Sequence, residues 1–264
     1  MIKLIAADLD GTILDSKKKI DSRLIEVAEK LKERDIEFTF VSGRNEELMH
    51  QYVDEFGLKN PYVTNNGGNI YKQHVCLFND YIPCEYNNIL ARMLWENDIA
   101  FRLFSEEGFY SFGLTAFFES RMGLFQDLGL KDYKSELDLK DLHIYKITCD
   151  FTGHEDKTET FVKRVRELCP EMNFLKAETN VYCANSLTAN KGAALKRVCE
   201  MMGIGIHEVM AFGDNGNDLS MLEVSGISVA MGNSEADIKE RCDYVCKDND
   251  HNGVSSFLQD FFKL

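Results

Sequence analysis

Apolar runs of strand length, each ending in a polar loop and followed by helical periodicity, occur at both ends of this chain. Residues 2–7 form an apolar run that stops at Asp8, and residues 36–41 form a second strand-like run. Residues 208–212 form another, which leads through a glycine into Asp214. Strands that are apolar along their length and alternate with helices are typical of parallel sheets covered on both faces. The sequence therefore predicts an α/β fold with a doubly wound, Rossmann-like parallel sheet.

The middle of the chain has helical and strand patterns of its own. With 264 residues, the chain is near the size at which one domain often becomes two. We therefore predict a smaller α+β domain, residues 83–186, inserted into a sheet domain formed by residues 1–82 and 187–264. The patterns predict its helices over residues 87–97 and 158–169 and its strands over residues 101–104, 109–112 and 144–150.

The chain is acidic, with 44 aspartates and glutamates against 30 lysines and arginines and a formal net charge of −14. Such a surface is not expected to bind nucleic acid non-specifically or to be drawn to an anionic membrane. The longest apolar stretches are only of strand length, and the N-terminal run reaches Asp8 without a cleavage-site pattern. We therefore expect a cytoplasmic protein with a small-molecule partner. No pattern predicts its oligomeric state.

The eight cysteines are scattered, and no two of them form a Cys-x-x-Cys pair. Cys242 and Cys246 are four residues apart, but no matching pair of Cys or His lies nearby. We interpret the cysteines as buried free thiols rather than as zinc ligands or disulfides.

Residues 8–12, Asp-Leu-Asp-Gly-Thr, follow the first predicted strand. Side chains at positions i and i+2 of an extended segment point the same way, so Asp8 and Asp10 are predicted to face one site. In open α/β sheets, ligands bind at the carboxyl ends of the strands. One carboxylate there can attack as a nucleophile while the other transfers protons. A solvent-exposed acidic turn is the alternative interpretation.

Residues 213–218, Gly-Asp-Asn-Gly-Asn-Asp, follow a second apolar strand. Carboxylates in a glycine-rich turn at a strand end are typical of an oxygen-ligand site for a hard cation. The same residue types occur in ordinary turns, and their spacing is not that of an EF-hand. With Asp8 and Asp10 on a neighbouring strand, a cation site is the favoured interpretation.

Two weaker signals lie at the starts of predicted helices. Ser42-Gly43-Arg44 follows a strand, and a hydroxyl with backbone N–H groups at a helix start can bind an anion. Taken alone, this signal is better explained by a plain N-cap serine. Lys191 is ordinarily interpreted as a solvated charge, but it would neutralise a phosphoryl group if it faced the same cleft.

The order of these four signals along the chain resembles the haloacid dehalogenase-like (HAD) phosphohydrolase superfamily. The large insert after the third strand is similar to the cap of its Cof-type branch, class IIB. The resemblance spans essentially the whole chain and includes residues 66–67 and 252–254, which are similar to two further family segments. It implies that the sheet domain carries catalysis and that the insert, as a cap, sets substrate specificity.

The resemblance implies a role for each matching residue. Asp8 would be the nucleophile, Asp10 the general acid/base and Lys191 the catalytic cation. Mg²⁺ would be held by Asp8, the Asp10 backbone carbonyl and Asp214, with Asp218 as a supporting partner. The implied phosphate-binding set consists of the Leu9 backbone N–H, Ser42, Gly43, Lys191 and Asn217.

The implied activity is Mg²⁺-dependent hydrolysis of a small phosphorylated metabolite, with a sugar phosphate favoured, through an aspartyl-phosphate. A phosphohexomutase-type phosphotransferase on the same scaffold is the alternative, and it would pass the phosphoryl group to a sugar instead of water. A non-enzymatic binding module is disfavoured because every expected catalytic group is present. Independently, Mg²⁺ needs few protein carboxylates and offsets the repulsion between a carboxylate nucleophile and a phosphate.

The chain departs from the family pattern near the second end of the insert. Residues 188–190, Thr-Ala-Asn, stand where relatives usually have Gly-Val-Ser, and Cys183 stands where they often have an acidic residue. Neither change touches the chemistry, but both bear on substrate fit. Candidate leaving-group contacts in the insert, each with a structural role as the alternative, are Arg102, Phe104, Tyr110 and Asn180.

Overall fold

The computed structural model describes residues 1–120, 129–134, 139 and 141–264. The described residues form two compact units. The core unit comprises Met1–Phe78 and Asn190–Leu264, and the inserted unit comprises Asn79–Ala189.

The predicted domain limits, Pro83 and Ser186, therefore lie four and three residues inside the inserted unit, which runs from 79 to 189. The other residues of the predicted insert, 121–128, 135–138 and 140, lie outside the described residues.

Helices and strands are numbered along the chain. Before the insert, the chain forms β1 (Leu4–Ala7), α1 (Ser22–Lys32), β2 (Glu37–Phe40), α2 (Glu46–Phe56), β3 (Tyr62–Thr64), β4 (Asn69–Lys72) and β5 (Val75–Asn79). The insert then contributes α3 (Cys84–Glu96), β6 (Ala100–Ser105), β7 (Gly108–Phe112), α4 (Ala116–Glu119), β8 (Lys131–Asp132), β9 (Ile144–Asp150), α5 (Glu155–Leu168), β10 (Met172–Glu178) and β11 (Val181–Ser186). The last part forms α6 (Lys191–Met202), β12 (Val209–Gly213), α7 (Leu219–Val224), β13 (Ile227–Ala230), α8 (Ala236–Glu240), β14 (Tyr244–Val245) and α9 (Gly253–Phe262).

The core unit is built on a parallel sheet with the strand order β14-β13-β12-β1-β2. Ala7, at the end of β1, pairs with Phe212 on one side and with Phe40 on the other. The three strands therefore end at the same edge of the sheet, where ligands bind in open α/β folds. The predicted fold class is confirmed.

Both faces of this sheet are covered. Along β1, Leu4 and Ala6 pack in one buried cluster with α6, whereas Ile5 and Ala7 pack in another with α1, α2 and α9. Alternate side chains of a strand point to opposite faces, so a strand that is apolar throughout requires helices on both sides. β1 is thus an interior strand, paired with β12 and β2, and Asp8 follows it directly at the carboxyl edge of the sheet.

The inserted unit has a six-stranded sheet with the order β10-β11-β9-β6-β7-β8, antiparallel except for the β7–β8 pair. Helix α3 packs on β6 and β9, and α5 packs on β10. Both helices begin three residues before their predicted starts, at Cys84 and Glu155. Their first turns carry acidic residues, which favour a helix N-terminus but give no apolar periodicity.

All eight cysteines are free. Cys149, Cys169 and Cys199 are buried as predicted, but Cys76 and Cys84 are exposed, on the solvent-facing strand β5 and in the first turn of α3. Within the described part of the chain, no helix combines the length and apolar character needed to cross a bilayer.

Candidate active site

Asp8 follows β1 directly and is buried. Its backbone N–H donates to the carbonyl of Phe212 on β12 at 3.1 Å, and its Oδ1 accepts from Lys191 Nζ at 2.7 Å. Lys191 is the first residue of α6, and its Nζ also donates to Asp218 Oδ1 at 2.5 Å. Three segments distant in sequence thus meet in one buried series of hydrogen bonds, Asp8–Lys191–Asp218.

Asp218 holds the loop after β12 in place. Its Oδ2 accepts from the backbone N–H groups of Asp214 and Asn215, at 2.9 and 3.0 Å. Because its Oδ1 is bonded to Lys191, both oxygens of Asp218 are engaged with donors of the protein. This geometry suits a residue that positions Lys191 and the Asp214 backbone.

Asp214 is packed against the turn that follows Asp8. Its Oδ1 accepts from the hydroxyl of Thr12 at 3.0 Å. Its carboxylate also lies where a Cβ on Gly11 would stand, and Gly11 has a φ of +78°. Only glycine adopts this backbone conformation without strain and leaves room for the carboxylate. The Gly-Thr pair of the first motif therefore orients the aspartate of the second.

Asp8, Asp214 and Asp218 each offer an oxygen within 4.8 Å of the others. Burial raises the pKa of Asp8 to about 8, against the charge of Lys191 and with the help of the neighbouring carboxylates. Burial, followed by the charge of Asp218, raises the pKa of Asp214 to about 6. Lys191 is buried as well, yet the two aspartates that it bonds raise its pKa above the ordinary value.

These shifts describe a buried group of carboxylates with too little positive charge around it. A divalent cation with oxygen ligands would supply that charge, and carboxylates are its preferred protein ligands. Asp8 and Asp214 fit such an ion, because Asp218 is already engaged with the protein donors described above.

Asp10 lies in different surroundings. Its carboxylate accepts from Arg44 through Nε at 2.6 Å and Nη2 at 2.8 Å, and from Lys18 Nζ at 2.7 Å. Although burial opposes it, these bonds lower the pKa of Asp10 to about 2. The strand β1 ends at Ala7, so the extended geometry on which the i, i+2 argument relied does not continue to Asp10, and it remains a prediction that Asp8 and Asp10 face one site.

Asn66 connects three of the predicted phosphate-binding residues, Ser42, Gly43 and Asn217. Ser42 is buried, and its Oγ accepts from the backbone N–H of Arg44 at 3.2 Å. Gly43 lies against Asn66, whose Oδ1 would be 2.8 Å from a Cβ at that glycine. The same Oδ1 accepts from Asn217 Nδ2 at 2.9 Å. The loops after β2, β3 and β12 are thereby joined at one edge of the sheet.

Leu9 is buried, and its carbonyl accepts from the N–H groups of Thr12 and Leu14. These bonds close the turn that carries Asp10. The direction of the Leu9 N–H towards a phosphate remains a prediction.

Sequence reasoning missed four partners in this region, namely Thr12, Lys18, Arg44 and Asn66. Thr12 and Arg44 lie inside or directly after recognised motifs, so their polar side chains could have been paired with the neighbouring aspartates. Lys18 belongs to a run of three lysines, in which nothing distinguishes one from the next.

Among the candidates in the inserted unit, Arg102 has a structural role. It is buried, its Nη1 donates to the carbonyls of Phe101 and Gly113 at 2.9 and 3.0 Å, and its guanidinium lies 4.1 Å from the ring of Phe118. Asn180 donates to Glu155 Oε1 at 3.0 Å. Both side chains are thus engaged within their own unit.

Comparisons with known proteins identify the family of this chain. The model of the family described as haloacid dehalogenase-like hydrolase matches residues 5–258. An HMP-PP phosphatase of Klebsiella pneumoniae (strain 342) is 28% identical over 266 residues, covering 98% of this chain and 95% of the relative. An HMP-PP phosphatase of Escherichia coli (strain 55989 / EAEC) is 25% identical over 238 residues, covering 89% and 85%.

Solved structures match over the whole length. A haloacid dehalogenase-like hydrolase from Bacteroides thetaiotaomicron has a TM-score of 0.85 at 25% identity, covering 99% of this chain and 100% of that one. A sugar phosphatase of HAD subclass IIB has a TM-score of 0.82 at 22% identity, covering 99% and 100%, and it supports the fold alone. Because the family match spans nearly the entire sequence, this protein belongs to the haloacid dehalogenase-like hydrolases, the family that its motifs predicted.

Proposed function

We propose that this hydrolase is a Mg²⁺-dependent phosphatase that acts on a small phosphorylated metabolite through an aspartyl-phosphate on Asp8. The observation that carries the proposal is the buried Asp8–Lys191 pair beside Asp214, at the carboxyl edge of the parallel sheet. Two relatives whose names state an activity are phosphatases, which favours hydrolysis of a phosphate ester.

In the first half of the reaction, an oxygen of Asp8 attacks phosphorus, and the bond from phosphorus to the leaving oxygen breaks. Lys191, kept charged by Asp218, lies beside Asp8 and can neutralise the transferred group. Mg²⁺ held by Asp8, Asp214 and the Asp10 carbonyl would offset the repulsion between the nucleophile and the phosphate.

Asp10 is proposed to move the protons. It would give a proton to the leaving oxygen, and then take one from the water that attacks the aspartyl-phosphate and releases phosphate and Asp8. With its pKa lowered to about 2 by Arg44 and Lys18, Asp10 is ionised, which is the state that the second step needs. Acid catalysis in the first step requires that these ion pairs be loosened.

The family and the relatives support a small phosphorylated metabolite as the substrate, and within that class our proposal keeps the sugar phosphate that the sequence resemblance favoured. The test is phosphate release from sugar phosphates, nucleotides, FMN, pyridoxal phosphate and HMP-PP, with Mg²⁺ present and Asp8→Asn protein as the control. Release no faster than that of the control on every substrate would refute the phosphatase proposal. Transfer of the phosphoryl group to an added sugar, rather than release, would establish the phosphohexomutase-type alternative.

The inserted unit is proposed to set specificity, because the candidate catalytic residues all lie in the core unit while the insert spans 79–189. Joining Phe78 to Asn190 by a short Gly/Ser linker should spare some turnover of small aryl phosphates and collapse the preference among natural phosphates. Ratios of kcat/KM over the substrate panel measure this. An unchanged ranking in a folded, insert-free core would place specificity in the core loops.

A further inference from the structure

A second cluster of ligand-type side chains lies in the core unit and shares no residue with the candidate active site. Glu46, His50 and His74 each offer one nitrogen or oxygen within 4.8 Å of the others. Glu46 and His50 are one turn apart on α2, and Asp54 follows one turn later on the same face. We call these four residues the α2 histidine cluster.

His74 reaches the cluster from the hairpin between β4 and β5. Gln73 and His74 form its two-residue loop, with φ angles of 49° and 63°. A loop of this kind normally contains asparagine and glycine, because both residues need positive φ. The hairpin instead places the imidazole of His74 against α2. Its ring stacks on that of His50, with the ring centroids 3.5 Å apart and an interplanar angle of 8°.

The His74 ring lies between two carboxylates. Its Nδ1 is 2.7 Å from Glu46 Oε1, and its Nε2 is 3.0 Å from Asp54 Oδ1. Burial opposes the charged form, but the hydrogen bonds to Glu46 and Asp54 raise the pKa of His74 above its ordinary value. The site therefore attracts a positive charge.

Glu46 supplies the independent observation that points to a ligand. It is buried, and the hydroxyl of Tyr62, itself fully buried on β3, donates to its Oε1 at 2.6 Å. Its Oε2 is also buried and has no hydrogen-bond partner among the described residues. An unpaired buried carboxylate oxygen is costly, and a bound cation would remove that cost.

We propose that Glu46, His50 and His74 form a binding site for a divalent transition metal of the zinc class. Two imidazoles and one carboxylate are a ligand set that Zn²⁺, Co²⁺ and Ni²⁺ favour over Mg²⁺ and Ca²⁺. The ion takes the place of the proton on His74 Nδ1, which is released to solvent, and binds the Glu46 carboxylate, whose Oε2 has no other partner among the described residues.

The second contact of each ligand supports this assignment. With Nδ1 on the ion, the Nε2–H of His74 donates to Asp54, and the Tyr62 hydroxyl orients Glu46, as partners of metal ligands commonly do. His50 must turn, because the lone pairs of two parallel rings do not converge on one point. Its side chain is half-exposed and borders solvent, so the turn requires no repacking of the core.

The test is calorimetric titration of Zn²⁺ into the full chain in excess Mg²⁺, which occupies the candidate active site. Wild-type protein, His50→Gln and His74→Gln are compared. His143→Gln is the matched control, because His143 belongs to a second His/Glu group whose members, with Glu106 and Glu107, are all exposed. Visible absorption of added Co²⁺ reports imidazole ligation independently.

We expect wild-type and His143→Gln proteins to bind one Zn²⁺ more per chain than His50→Gln and His74→Gln. Asp54→Asn should keep the site but weaken it roughly 10- to 100-fold, since it removes only the partner of His74. Should His74→Gln fail to fold, His50→Gln decides the matter, because its side chain is half-exposed. Equal Zn²⁺ stoichiometry in wild-type and His50→Gln proteins, or loss of the ion in His143→Gln protein, overturns the proposal.

Discussion

Asp8 and Asp10 are separated by one residue, yet their carboxylates lie in opposite electrostatic surroundings. Asp8 is buried beside two other carboxylates, and its pKa is raised to about 8. Asp10 is partly exposed, is bonded to Arg44 and Lys18, and has a pKa lowered to about 2. Within the described residues, the single carboxylate of Asp10 pairs with two cationic side chains. The three carboxylates of Asp8, Asp214 and Asp218 have one such partner, Lys191, which is bonded to Asp8 and Asp218.

The difference shows which of the two aspartates lacks compensating positive charge in the protein alone. Two cations, Arg44 and Lys18, more than offset the charge of the Asp10 carboxylate, so the protein alone already holds Asp10 ionised. The charges around Asp8 do not balance, and a nucleophile must be ionised in order to attack. Under the proposed function, the divalent cation would therefore favour the ionised form of Asp8 as well as bind the phosphate.

The largest expected effect follows from replacing Asp8. The Asp8→Asn side chain has nearly the same shape and can still accept from Lys191, so the fold should be retained, but it cannot attack phosphorus. Turnover should fall at least about 100-fold. Phosphate release measures the loss, and circular dichroism checks the fold. Activity above about one percent of wild type in folded protein would instead argue for direct attack by water.

Removal of the metal should be nearly as damaging. A chelator should abolish turnover and Mg²⁺ should restore it. The ion supplies the positive charge that the buried carboxylates of Asp8 and Asp214 otherwise lack. Ca²⁺ should bind but inhibit, since its larger coordination sphere would engage both oxygens of Asp8. The assay is phosphate release at fixed total ionic strength. Full activity in excess chelator would contradict both the metal site and the proposed need for an added cation beside Asp8.

The strands and the motif positions could be predicted because their signals are local. Apolar runs at residues 2–7 and 208–212 mark β1 and β12, and a parallel sheet necessarily brings the loops after them together. The strand β10 was not predicted, because most of its residues are exposed and no alternation marks it.

Arg44 could have been suggested as a partner of Asp10 from its place in the Ser-Gly-Arg motif, but no pattern singles out Lys18, because its contact depends on a turn. Asp10 lies in the turn closed by the Leu9 carbonyl, and its carboxylate meets an arginine 34 residues away. The α2 histidine cluster was missed for a similar reason. His74 reaches α2 only through a hairpin whose loop residues are atypical of that turn.

A smaller and more selective effect is expected at Asp10. General acid catalysis contributes typically 10²- to 10⁴-fold for poor leaving groups, so Asp10→Asn should slow sugar phosphates far more than p-nitrophenyl phosphate. The ratio of kcat/KM on the two substrates measures the selectivity. Equal losses on both would assign Asp10 to the hydrolysis of the aspartyl-phosphate, the step for which its ionised state is suited.

The smallest effect should come from Arg44, and it tests the cause of the difference between the two aspartates. Arg44 makes two hydrogen bonds to Asp10 and Lys18 makes one, so Arg44→Gln should raise the pKa of Asp10 from about 2 towards the ordinary value of 3.8. Because Asp10 must be ionised to act as a base, the acidic limb of kcat should move to higher pH, by less than about two units. Lys18→Gln, which removes a single and more exposed ion pair, is the matched control and should move it less. The profile is measured from pH 3.5 to 8 with saturating Mg²⁺, and unfolding is monitored at each pH. If the acidic limb of kcat stays at the same pH in folded Arg44→Gln protein, a group other than Asp10 sets that limb. The Arg44–Asp10 ion pair would then have no part in the pH dependence of catalysis.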